Sequence, residues 1–160
     1  MTKNSFPLME LGRAYLMIDV KPINDFVMRS VQFKVDTGAD VSTIHKEELF
    51  SLGYDMDWIS RNVVIFKDDE KPVTASGDRI DAGYVRLPLI NILGYEGKSW
   101  PFQIILDDYK DFRNLLGRDL LNGFNYSFDN DDDKFIITRA KVFKQRYKFL
   151  PGQEVNDVLS

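Results

Sequence analysis

The octapeptide Phe33-Lys34-Val35-Asp36-Thr37-Gly38-Ala39-Asp40 changes character at its midpoint. Through Val35 it continues a period of two, with Val31, Phe33 and Val35 on one side and Gln32 and Lys34 on the other. That alternation predicts a half-buried strand from about Ser30 to Val35. An acid, a small hydroxyl residue and a glycine then follow in succession, so the strand delivers a carboxylate to a tight turn. Gly38 allows close approach of another backbone, and the Thr37 hydroxyl can tie the loop to itself. Taken alone, the same tripeptide also describes an ordinary strand-to-loop turn with an exposed Asp. A second segment, Leu115-Leu116-Gly117-Arg118-Asp119-Leu120, sets it apart.

The elements around these two segments are mostly β. Residues 14–20 are apolar and stop at Lys21-Pro22, which predicts a strand and a turn. Val41 to Ile44 reads as a short β segment, and residues 46–53 as a short helix stopped by Gly53. Residues 62–67 form a β-branched strand ended by Asp68-Asp69-Glu70. Residues 72–80 carry small residues between β-formers and predict a hairpin with its tip near Ala75 to Asp78. Two further strands, residues 84–92 and 100–106, contain Pro88 and Pro101, which point to irregular or edge positions. Residues 118–123 read as a brief helix closed by glycine. Residues 124–128 and 134–138 flank the turn 129–133 as a second hairpin, with apolar side chains on both faces. Many short strands with brief helices predict a mostly β domain, barrel-like or a sandwich.

Composition narrows the function classes. The chain has 160 residues, enough for one ordinary domain with a real core, and 44% of them are hydrophobic. It has no cysteine, which excludes disulfides, thiol catalysis and cysteine-ligated zinc and agrees with a reducing compartment. A net charge of −4 argues against nucleic acid as a partner. No apolar run of membrane-spanning length and no apolar stretch of signal-peptide type near the N-terminus is present, so a cytoplasmic location is expected.

Asp36-Thr37-Gly38-Ala39-Asp40, the small-residue hairpin around Ala75-Ser76-Gly77 and Leu115-Leu116-Gly117-Arg118-Asp119-Leu120, in that order, resemble the retropepsin-like (retroviral-type) aspartic proteases of cellular and bacterial type. The resemblance covers roughly residues 14–139. Residues 1–13 are then an N-terminal extension and 140–160 a basic, aromatic C-terminal segment and tail. The separation between the motifs exceeds that of compact viral members, with the excess placed near residues 54–69 and 94–98. The resemblance implies a retropepsin-like closed, barrel-like β domain with one or two short helices, active as a two-fold homodimer.

It also implies roles. Peptide hydrolysis by acid–base chemistry needs one carboxylate to take a proton from water and a second acid to protonate the carbonyl oxygen. Two carboxyls about 3 Å apart share one proton. The chain contains a single Asp-Thr-Gly triplet, so the second Asp36 has to come from a second copy. Thr37 would bond across the two-fold axis, Gly38 would admit an extended substrate, and Ala39 stands where some relatives carry Ser. Asp40 and Arg118 would form a structural ion pair beside the site. Thr74, Ala75, Ser76 and Gly77 would act as a flap that binds peptide as an added strand. The expected function is a homodimeric aspartic endopeptidase acting on peptide or protein substrates, without cofactor or metal. The alternative is a catalytically silent module of the same fold that dimerises or binds peptides.

Other features carry less. Asp129-Asn130-Asp131-Asp132-Asp133 lacks the spaced glycine and final Glu of an EF-hand and reads as a solvated turn. His45 is the single histidine, which leaves no multi-histidine metal site within the chain and makes a surface or half-buried position the expectation. Asn125-Tyr126-Ser127 matches a glycosylation sequon inside a strand. Residues 141–150 interleave basic and aromatic side chains, as a solvated face that docks its apolar side would.

Overall fold

The computed structural model describes residues 3–74, 76–108 and 113–141. Ten strands and three short helices are present among them. β1 (Lys3–Pro7) comes from the stretch before residue 14. β2 (Tyr15–Val20) and β3 (Arg29–Val35) form an antiparallel pair, with Leu16 opposite Phe33 and Ile18 opposite Val31. β4 (Thr43–His45) leads directly into α1 (Lys46–Ser51), and α2 (Met56–Asn62) into β5 (Val63–Ile65). The two long strands β6 (Ala82–Ile92) and β7 (Tyr95–Ile105) form the central hairpin. β8 (Leu115–Leu116) precedes α3 (Arg118–Leu121), and β9 (Phe124–Asp129) with β10 (Lys134–Arg139) makes the last hairpin.

The larger sheet runs β2-β3-β8-β4-β7-β6-β5, and a further pairing of β2 with β6 closes it into a barrel with β5 as an outer strand on β6. This is a mostly β, closed barrel-like domain with a few short helices. A second sheet, β1-β10-β9, is formed when the N-terminal segment pairs antiparallel with β10, Ser5 opposite Ile136. The alternating side chains of β3 explain its place: Val31, Phe33 and Val35 are buried, whereas Gln32 is exposed. Phe33 meets Phe102 at 5.9 Å between ring centroids, and Trp100, Tyr54 and Phe135 fill the same core. At about 25 cal/mol per Å2 of apolar surface removed from water, each such ring stabilises the fold by roughly 2–3 kcal/mol.

Three expectations need correction or refinement. Pro88 and Pro101 lie within long strands of the barrel, Pro88 at an irregular position rather than on an edge. Pro101 sits opposite Arg86 at a point beyond the reach of β4, which pairs β7 only at residues 103–105. Pro88 falls where the ladder skips a pair, opposite the left-handed Ser99. Neither residue is paired with strands on both sides, so its missing N–H leaves at most one ladder bond unmade. His45 is buried, not half-exposed, because it ends the interior strand β4 and its Nδ1 accepts from the Glu47 N–H at 3.2 Å, capping α1. The apolar side chains of the last hairpin divide between core and surface: Phe124, Phe135 and Ile137 belong to the core, while Phe128 is 41% exposed. The basic segment 142–150 and the tail lie outside the described residues.

Candidate active site

The loop after β3 and the loop before α3 are built as one unit. β3 and β8 run parallel, Lys34 beside Leu115 and Val35 beside Leu116. The ladder continues past the strand end, because the Asp36 N–H donates to the Leu116 carbonyl at 2.9 Å. The chain then turns, with the Ala39 N–H donating to the Asp36 carbonyl at 3.2 Å. Returning bonds come from the other segment: the Arg118 N–H donates to the Ala39 carbonyl at 2.9 Å, and the Asp119 N–H to the Asp40 carbonyl at 3.2 Å. Each loop thus satisfies backbone groups that the other leaves open.

Gly117 is what permits this contact. A Cβ built there would lie 2.6 Å from the Val41 carbonyl carbon and 2.7 Å from its oxygen, both backbone atoms that cannot swing aside. Its N–H donates to the Ser42 hydroxyl at 3.0 Å. Ser42 Oγ passes the connection on by donating to Asp119 Oδ1 at 2.7 Å, and the Leu120 N–H donates to the same oxygen at 2.9 Å. Asp119 is 3% exposed, and burial pushes its carboxyl up to about 6 despite these bonds. Arg118 and Asp40 form an ion pair that spans the two loops on their outer side, and both side chains are substantially exposed.

Asp36 sits half-buried at the turn, and its Oδ1 accepts the Gly38 N–H at 3.0 Å. One carboxylate oxygen is thereby fixed by the turn that presents it. Thr37 and Gly38 are exposed, and Ala39 is half-buried. The hairpin of residues 72–80 is closed by a bridge between Val73 and Arg79 and by the Thr74 N–H donating to the Asp78 carbonyl at 2.8 Å. Thr74 Oγ1 and Ser76 Oγ lie 2.9 Å apart, and Gly77 takes the positive φ of 90° that the turn requires. Ala75 lies outside the described residues. Among the described residues no cluster of three metal-ligating side chains occurs, and no helix is long and apolar enough to cross a membrane.

The structure thus brings Asp36, Thr37, Gly38, Ala39, Asp40 and Arg118 into one interlocked pair of loops, with Thr74, Ser76 and Gly77 on a separate hairpin. Sequence reasoning assigned no part to Ser42, or to Asp119 beyond its place in the motif. An acid directly after Arg118 was visible in the sequence, but its burial was not, and its partner is 77 residues away.

No protein-family model and no curated protein sequence matches the chain. Among solved structures, it is similar to a retropepsin-like aspartic protease from Rickettsia conorii, with 25% identity and a TM-score of 0.61 over 85% of this chain and 98% of that one. It also aligns with the retroviral protease-like domain of Ddi1 from Leishmania major, at 18% identity and TM-score 0.49, over 80% and 88% of the two chains. The EIAV protease, solved with the inhibitor HBY-793, aligns at 19% identity and TM-score 0.47 over 71% and 90%. The first of these, matched over almost its whole length, agrees with the closed barrel-like fold. The chain has the fold of the retropepsin-like aspartic proteases.

Proposed function

We propose that the protein is a homodimeric aspartic endopeptidase in which two copies of Asp36, one per chain, activate a water between them. One carboxylate takes the proton of the attacking water, while the protonated partner donates to the carbonyl oxygen of the scissile peptide. As the C–N bond of the resulting diol breaks, the proton taken from water passes to the leaving amine and a diol hydroxyl returns its proton to the other carboxylate, so the pair ends the cycle with one shared proton, as it began. Thr37 bonds to the opposite loop across the two-fold axis and keeps the carboxylates coplanar. Gly38 offers its carbonyl to an extended substrate. Thr74, Ala75, Ser76 and Gly77 cover that substrate through backbone groups.

The observation that carries this reading is the seating of Asp36: its backbone N–H is bonded to Leu116, its carboxylate to the Gly38 N–H, and its loop is locked by Gly117 and Arg118. A module that only binds peptides has no need of a carboxylate fixed in this way. Dimerisation follows from the single triplet, since the chemistry needs two acids. The test is incubation of the wild type and Asp36→Asn with a diverse peptide library from acidic to neutral pH. Cleavage by the wild type alone is expected. A wild type that forms a stable dimer and binds peptides without cutting them would overturn the enzymatic reading in favour of a silent binding module.

A further inference from the structure

A line of hydrogen bonds joins the buried acid of the loop junction to the backbone of Asp36. Asp119 Oδ1 accepts from Ser42 Oγ at 2.7 Å, and the same hydroxyl oxygen accepts the Gly117 N–H at 3.0 Å. That N–H belongs to the peptide group whose carbonyl, on Leu116, accepts the Asp36 N–H at 2.9 Å. Donors and acceptors follow one another in a single direction, so each bond polarises the next. One hydroxyl and one peptide group are all that separate the Asp119 carboxyl from the Asp36 N–H along this line. Ser42 is wholly buried and Asp119 nearly so, which keeps both out of bulk water while the junction is closed.

Among the described residues, the charged and titratable groups on the surrounding elements are engaged elsewhere. Arg118, on the same helix, pairs with Asp40 on the facing loop, and Asp36 on that loop accepts the Gly38 N–H. β9 packs on α3 and brings Tyr126, whose ring lies against Phe135. At its far end β9 also carries Asp129, which accepts the Asp131 and Asp132 N–H groups. β4 brings His45, whose Nδ1 caps α1, and β8 brings no titratable side chain. Burial therefore decides: it raises the Asp119 carboxyl to about 6, against the lowering effect of the bonds from Ser42 and the backbone. An ionised carboxyl held here draws in water, and water that reaches it displaces the Ser42 hydroxyl. Loss of that hydroxyl frees the Gly117 N–H, and with it the peptide group that holds Asp36.

We propose that Ser42 and Asp119 are positioning residues that form a proton-operated lock on the Asp36 loop, firm while the Asp119 carboxyl is neutral and loosened once it ionises. Acidic solution then seats the candidate catalytic acid more firmly than neutral solution does. The consequence for peptide cleavage rests on the reading of Asp36 proposed above, whereas the operation of the lock does not.

The experiment follows amide hydrogen exchange by NMR in full-length Asp36→Asn, which removes the titration of residue 36 itself. The N–H groups of residue 36, Gly117 and Leu120 are read from about pH 3.5 to about pH 7, with and without low urea, beside those of the β6–β7 hairpin. Protection is corrected for intrinsic exchange at each pH. An open junction takes up its proton at the ordinary 3.8 and a closed one at about 6, so protection at the junction should fall by roughly a hundredfold between these values and level off above them. Low urea should leave it unchanged, because a local opening exposes little surface. Asp119→Asn, added to the same chain, should remove the pH dependence. Ser42→Ala cuts the line but leaves Asp119 bonded to the Leu120 N–H, so the fall should persist at Leu120 and vanish at residue 36. Junction protection that stays constant across this range, or exchange that follows the β6–β7 hairpin in its urea dependence, would overturn the lock and leave Asp119 a structural acid only. So would a fall that persists in Asp119→Asn. The first two outcomes are read from the parent chain alone, so the test stands even where a variant does not fold. Peptide cleavage takes no part in the readout, which keeps failure of the lock distinct from failure of the enzymatic reading.

Discussion

Asp119→Asn offers a test of how the two loops are held together. The Asp119 carboxyl lies almost wholly out of water, accepts from Ser42 Oγ and the Leu120 N–H, and is raised to about 6 from 3.8. A carboxyl whose folded value is raised favours the folded state while it is protonated. Its contribution is therefore fully present below pH 3.8 and is lost as pH rises through about 6. At 1.36 kcal/mol per pH unit, the ionised form costs the fold roughly 3 kcal/mol at pH 7.5. Asparagine keeps an oxygen for both donors and cannot ionise, so the variant escapes that cost. Urea unfolding of wild type and Asp119→Asn should give similar stabilities near pH 4, with the variant gaining up to about 3 kcal/mol by pH 7.5. The change should run between the unfolded and folded values, with its midpoint near pH ~5. A difference independent of pH, or a variant that loses stability relative to wild type as pH rises, would refute the assignment of a buried carboxyl with a raised folded value to the loop junction.

Three other outcomes test neighbouring parts of the same unit. Gly117→Ala forces a Cβ against the Val41 backbone and should lower stability by about 1–3 kcal/mol or prevent folding, read from the urea midpoint. Arg118→Lys removes the planar guanidinium from Asp40. Because the pair is partly exposed, a loss of about 1 kcal/mol in stability or dimer affinity is expected, and an unchanged melting temperature and sedimentation profile would remove the pair from the account. Ala39 lacks the hydroxyl that would give Asp36 another donor, which predicts an optimum less acidic than in relatives with Ser. Ala39→Ser should move the pH–rate profile toward acid, and a wild-type profile peaking as low as that of gastric-type enzymes would contradict the reasoning.

Much of the barrel was legible because its strands alternate. β3 buries Val31, Phe33 and Val35 as its period of two requires, and the helix stop at Gly53 appears where the sequence puts it, with φ of 87°. What escaped was of two kinds. α2 was absent from the sequence reading because its signals are local and short: Asp55 accepts the Trp58 N–H as a cap, but a β-branched run begins at once behind the helix. β1 escaped because a five-residue strand gains its partner only from residues 134–138, at the far end of the domain.

The candidate site divides in the same way. Asp36-Thr37-Gly38 and Gly117-Arg118 can be found as patterns, since glycine and a carboxylate at a strand end have a local meaning. The Ser42 hydroxyl that joins Gly117 to Asp119 has none, because a serine at the start of a strand is unremarked until the fold places it between them.

The central claim is that one functional centre takes an Asp36 from each of two chains. Its most direct test is a subunit-mixing titration, in which wild type and Asp36→Asn are unfolded together, refolded at fixed total concentration and assayed on a cleavable peptide. If both carboxylates are needed, activity follows the square of the wild-type fraction and falls to about one quarter in an equal mixture. Activity proportional to the wild-type fraction, about one half in the same mixture, would mean that a single chain suffices and would contradict the account.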